Sequence, residues 1–156
     1  MKFHLVEVVG VRVEMPSNQP IVLLKEIDGI RYLPIWVGAA EATAIAFAQQ
    51  GVLPPRPLTH DLFKLVIEEL GSKIMKVELT DLINGVFYAD LILQGGERIS
   101  ARPSDAIALA VRSSCEISAS EKLFEAAGIE IPNQADDEVE AFREFLEDIN
   151  PEDFLA

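Results

Sequence analysis

Arg56-Pro57-Leu58-Thr59-His60-Asp61 and Arg102-Pro103-Ser104-Asp105 place one formula ahead of two expected helices. In each, an arginine precedes proline and is therefore held in extended backbone. A hydroxyl residue stands where it can cap the helix, and an aspartate falls in the first turn, where the macrodipole favours an anion. If the two corners meet, Arg56 and Arg102 can clamp a phosphate beside helix N-termini. His60 can move a proton near neutral pH, with Asp61 and Asp105 beside it as further catalytic or water-positioning groups. Glu41, Asp61 and Asp105 can share a hard divalent ion such as Mg or Mn, which takes oxygen ligands. Phosphodiester hydrolysis needs activated water, charge stabilisation on the phosphoryl group and a proton donor for the leaving oxygen. A plainer account also covers every one of these residues. Thr59 and Ser104 cap, the aspartates stabilise their own helix ends, and the arginines pair with nearby carboxylates.

The elements that must position them follow from pattern. Residues 2–15 alternate and are β-branched, which predicts a strand kinked at Gly10. Pro16 to Pro20 reads as a turn. Ile21–Ile27 and Ile30–Val37 read as strands joined by Asp28-Gly29, and Gly38 opens a helix that Gly51 closes. Thr59 is the expected cap of a second helix, with Leu62, Leu65, Val66 and Leu70 on one face and Gly71 at its end. Strands at Lys73–Ile83, Val86–Leu93 and Arg98–Ala101 turn at Asn84-Gly85 and Gly95-Gly96, and a helix from Ser104 to about Ser114 follows. A short helix spans Glu121–Ala127.

Glu41-Ala42-Thr43-Ala44-Ile45-Ala46-Phe47 and Asp105-Ala106-Ile107-Ala108-Leu109-Ala110-Val111 echo each other at a constant spacing of 64 residues. The expectation is an α+β fold of internally duplicated β-β-β-α units, with antiparallel or mixed sheets packed on helices. The equivalence of Glu41 and Asp105 also favours the plainer account, since each helix start needs an acid. The alanines beside them let helices pack closely.

Composition narrows the function. The chain has 156 residues and a net charge of −13. Residues 134–156 hold nine acids against Arg143, a balance of −8 that leaves −5 for residues 1–133. A body so charged has no global field for polyanions, which counts against an avid, nonspecific DNA binder. No apolar run reaches the roughly eighteen residues of a membrane span, and Glu7 and Glu14 stand where a signal peptide would be apolar. Cys115 is the only cysteine, which fits a reducing cytosol, so a cytoplasmic protein without membrane contact is expected. Two units are expected: residues 1–133, and an acidic amphipathic helix over 134–156 that is either a solvated surface helix or a partner-binding arm. No Gly-rich phosphate loop or zinc spacing is present, and no organic cofactor is expected.

Several ordered blocks resemble the bifunctional nuclease family. They are Leu33-Pro34-Ile35-Trp36-Val37-Gly38 leading into Glu41-Ala42, then Pro55 to Asp61, then Phe87-Tyr88-Ala89, then Ala101 to Arg112. The likeness covers roughly residues 5–125 and leaves the acidic tail outside. It implies an α+β fold with internal duplication and hydrolysis of DNA and RNA as substrates. It supplies no catalytic set, so His60, Asp61, Asp105, Arg56, Arg102 and Glu41 stand as candidates from the residue reading alone. The alternatives are a non-enzymatic homo-oligomeric regulatory or interaction module, and a small anionic-ligand-binding domain. A homo-oligomer, in the simplest case a dimer, is expected.

Overall fold

The computed structural model describes residues 2–14 and 19–130. The acidic segment 134–156 and most of the turn at Pro16–Pro20 lie outside the described residues. The chain runs β1 (Phe3–Glu14), β2 (Gln19–Glu26), β3 (Arg31–Trp36), α1 (Ala39–Gln50), α2 (Thr59–Glu69), β4 (Ile74–Ile83), β5 (Val86–Leu93) and β6 (Arg98–Ala101). It continues through α3 (Pro103–Ser113), β7 (Glu116–Ser120), α4 (Glu121–Ala127) and β8 (Ile129–Glu130). All eight strands form one sheet in the order β6-β5-β4-β7-β1-β2-β3-β8. Every neighbouring pair is antiparallel except β4 with β7. The fold is α+β with a mixed sheet.

Local chemistry accounts for the hairpins. Asn84 and Gly85 both take positive φ, 52° and 78°, the geometry a two-residue turn needs to match strand twist. The register of β1 against β2 slips between Val8 and Gly10, so the expected kink is a bulge. Gly51 closes α1 in the left-handed region, where its N–H bonds the Ala48 carbonyl.

Strand β7 is absent from the sequence reading, yet it is the seam of the sheet. Its Ile117, Ser118, Ala119 and Ser120 are all buried, and it joins β4 on one side to β1 on the other. The Ser120 hydroxyl donates to the Thr80 carbonyl and accepts from the Leu123 N–H, which caps α4.

Helices α1 and α3 pack on the sheet and on each other. Ala42, Ala44, Ala106, Ala108 and Ala110 are buried there with Ile45, Ile107 and Leu109. Small side chains let the two helix axes approach, which brings Glu41 and Asp105 to the same rim. Helix α2 differs: it rests on α3, and none of its residues is buried.

Two expected caps are corrected. Leu58, not Thr59, is the N-cap of α2, and its N–H is satisfied by the Asp61 carboxylate at 3.0 Å. Arg102 is the N-cap of α3, Pro103 takes the first helical position, and Ser104 is buried inside the first turn.

Candidate functional site

Three helix N-termini meet at one groove. Glu41 lies in the first turn of α1, His60 in that of α2 and Asp105 in that of α3. The groove, about 1200 Å³, is lined by these residues with Arg102, Thr59 and Ser100 among its polar groups, and by Leu62, Phe63, Leu91 and Ile99 among its apolar ones.

His60 and Asp105 come from elements 45 residues apart and meet with Nε2 2.9 Å from Oδ1. The other carboxylate oxygen of Asp105 accepts from Arg102 Nε at 3.0 Å and Nη2 at 2.8 Å. Arg102 Nη1 lies 3.5 Å from Glu41 Oε1. Glu41 curls back over Gly38, where a Cβ would lie only 2.6 Å from its Oε1. The line Glu41–Arg102–Asp105–His60 thus crosses three helix ends. Burial would raise the Asp105 carboxyl, but the hydrogen bonds from His60 and Arg102 outweigh it and hold the group below the usual aspartate range. An ionised carboxylate only accepts, so His60 must donate from Nε2, which leaves Nδ1 to take a proton.

Asp61 is placed elsewhere. Its Oδ1 accepts from Arg112 Nε at 2.8 Å, while Oδ2 accepts from Leu58 N–H, so it ties α2 to α3 on the far side of the helix from the groove. Burial opposes ionisation here too, and the Arg112 and Leu58 hydrogen bonds overcome it. Arg112, whose side chain is only 8% exposed, also donates to the Ala108 carbonyl. The sequence reading gave Arg112 no role; its partner stands 51 residues away, and no local pattern joins them.

Arg56 is exposed in its loop and does not line the groove, so the expected Arg56–Arg102 clamp is reduced to Arg102. Among the described residues no three His, Cys, Asp or Glu side chains are placed to hold one metal ion. Glu41, Asp61 and Asp105 therefore form no ligand set, because Asp61 is drawn off by Arg112. Cys115 is half-buried, and burial pushes its thiol up to about 11, consistent with an inert packing residue.

No helix among the described residues is long and apolar enough to cross a membrane.

A single mixed sheet with three helix starts around a His–Asp–Arg cluster defines an α+β domain with a groove of mixed polar and apolar lining. Residues 22–132 match the bifunctional nuclease domain, and the chain belongs to that family. An uncharacterized protein of Mycobacterium tuberculosis is 51% identical, with 97% of this chain and 98% of that protein aligned. Bifunctional nuclease 1 of Arabidopsis thaliana is 29% identical over 74% of this chain, and bifunctional nuclease 1 of Oryza sativa subsp. japonica 26% over 73%. The aligned region makes up only 38% and 36% of those two plant proteins.

Proposed function

We propose that the chain is a nuclease that hydrolyses phosphodiester bonds of DNA and RNA in the groove at the three helix starts. The observation that carries this is the His60–Asp105–Arg102 line, which sets an imidazole and an exposed guanidinium along the same groove. Family membership and the names of the plant relatives support the substrate class. Asp105 fixes the ring of His60. His60 Nδ1 takes a proton from water as its oxygen attacks phosphorus, and the bond to the leaving sugar oxygen breaks with solvent water supplying that oxygen's proton, giving a phosphomonoester and a hydroxyl end. Arg102, two-thirds exposed, turns its free edge to the non-bridging oxygens. It is the phosphate-binding residue.

Charge counting gives the metal a role. Glu41 and Asp105 against Arg102 leave the polar line net negative when His60 is neutral, which disfavours a phosphate. A Mg or Mn ion would correct that balance. Glu41 would hold it at the rim, Asp105 being taken up by His60 and Arg102, and the ion would supply positive charge at the phosphoryl group. Glu41 is the freer ligand, since its closest basic group is 3.5 Å away.

The test is cleavage of single-stranded DNA and RNA by the purified chain in Mg, Mn or chelator, beside His60→Ala and Asp105→Asn. Both variants are expected to lose activity by about 10² or more. Undiminished cleavage by His60→Ala would remove His60 from the reaction and the proposal with it.

A further inference from the structure

Helix α2 is built inside out. His60, Asp61, Lys64 and Ile67 are its shielded residues, whereas Leu62, Phe63, Leu65 and Val66 are 54, 45, 49 and 48% exposed. Leu58 at its start is 43% exposed and Leu70 at its end 81%. The sequence places an apolar stripe on this helix, and the fold turns that stripe to solvent, with Leu58, Leu62 and Phe63 also forming the α2 wall of the groove. Taking roughly 200 Å² for one fully exposed large side chain, the stripe and the neighbouring Leu53 present on the order of 800 Å², the area one partner contributes to an ordinary stable interface. Monomeric proteins seldom leave a patch of that size uncovered.

We infer that α2 is the contact face of a homodimer, packed antiparallel against α2 of a second copy about a two-fold axis near Lys64. Two observations select a second copy. First, the stripe is self-complementary about residue 64: in an antiparallel pair Leu58 meets Leu70, Leu62 meets Val66 and Phe63 meets Leu65, apolar with apolar each time. An isologous interface demands that symmetry. Second, the charges match under the same operation. Arg56 is exposed just ahead of the helix and has no partner among the described residues, and Glu69 in the last turn has none either. The last turn holds no base to offset its acids, so α2 alone ends with charge against its own dipole. Antiparallel pairing sets the second copy's Glu69 over the N-terminal end of α2, within reach of Arg56. The segment 134–156, with nine acids and one base, fits poorly beside Glu68 and Glu69.

The full chain, followed by sedimentation velocity from about 1 to 100 µM, should be a dimer in the upper range. Leu62→Asp and Val66→Asp each place two carboxylates in the seam and should raise Kd by at least about 100-fold. Because both positions are solvent-exposed within one chain, circular dichroism and Tm of the dissociated variants should stay those of a folded protein. Arg56→Glu and Glu69→Arg should each weaken the homodimer about tenfold or less, through like charges at both ends. An equimolar mixture of those two variants should recover wild-type affinity, since every Arg then faces a Glu. A wild-type monomer throughout the range overturns the inference, as does a dimer unmoved by Leu62→Asp and Val66→Asp. Failure of the mixture to recover overturns the antiparallel register.

Discussion

The molecule holds two clusters of the same residue types, arranged to opposite ends. His4, Glu26, Arg31 and Glu121 join β1, β2, β3 and α4. His60, Asp105, Arg102 and Glu41 join the starts of α2, α3 and α1. In the first, Arg31 spends four of its five guanidinium N–H donors: Nε and Nη2 meet Glu26 at 2.9 and 3.0 Å, and Nη1 and Nη2 meet Glu121 at 2.8 and 2.9 Å. His4 closes the ring at 2.7 Å from Glu121, and Arg31 also lies over the Phe124 ring at 4.6 Å. In the second, Arg102 is hydrogen-bonded along one edge only, with Glu41 3.5 Å from its Nη1, and is 66% exposed, against 22% for Arg31. Residue types alone do not separate a structural tie from a reactive site. The donors left over, and the space in front of them, are what make the second cluster the candidate.

That contrast sets the largest expected effect. His60→Ala should abolish cleavage by about 10² or more and move Tm by only a few degrees, since it loses one part-exposed hydrogen bond. Arg31→Met should do the reverse. It strands the buried Glu26 carboxylate, so unfolding free energy should fall by about 2–4 kcal/mol in urea melts, while turnover below the new Tm stays near wild type. If Arg31→Met removed activity as His60→Ala does, without unfolding, the division between the clusters would be void.

Arg102→Lys sharpens the same comparison at smaller amplitude. Lysine keeps the charge but not the fork that grips Asp105 with one edge and frees the other. Single-turnover and steady-state cleavage should show KM raised about tenfold, with Tm nearly unchanged. An unchanged KM would exclude Arg102 from phosphate binding.

How much of this was legible depends on whether the signal was local. Asn84-Gly85, Gly51 and the two runs of three strands closed by a helix were readable, because turn chemistry and alternation act over a few residues. The likeness of the Glu41 and Asp105 helix starts was readable as an echo, but not that the two share a rim. Strand β7 was not, since Glu116-Ile117-Ser118-Ala119-Ser120 alternates weakly and is a strand chiefly because β1 and β4 need a partner. The Asp61–Arg112 bond, which removes Asp61 from the groove, is a tertiary choice across 51 residues. The apolar stripe of α2 was read correctly, but periodicity says only that a helix has two faces, not which one meets the body.

Acid separates the clusters again. The hydrogen bonds from Arg31, then His4, hold the Glu121 carboxyl down at about 2, against an ordinary 4.5, and Arg31 lowers Glu26 as well. A depressed carboxyl contributes stability in full above its unfolded value and loses it as pH falls through the folded one. The tie should therefore act fully above about pH 4.5 and fade towards pH 2. Urea melts between pH 5 and 3 should show stability falling in wild type, and falling less steeply in Glu121→Gln. Parallel slopes would mean that other carboxylates govern acid unfolding.

The smallest effect concerns Gly38, and it tests the metal. Its φ of −77° and ψ of 162° suit alanine without strain. Alanine is a somewhat poorer N-cap than glycine but restrains the unfolded chain, and the two effects, each about 0.5 kcal/mol, nearly cancel. Stability should hardly change. The new Cβ, however, would lie 2.6 Å from Glu41 Oε1, so that carboxylate must leave the position in which it meets Arg102. Asp105 keeps both its partners, so the His60 dyad is left as it was. Cleavage by Gly38→Ala should then need about three- to tenfold more Mg or Mn for half its maximum, with the maximum itself preserved. Glu41→Gln should move the titration further in the same direction. A midpoint unmoved in both variants would leave Glu41 as a partner of Arg102 alone, the role that Glu26 plays for Arg31.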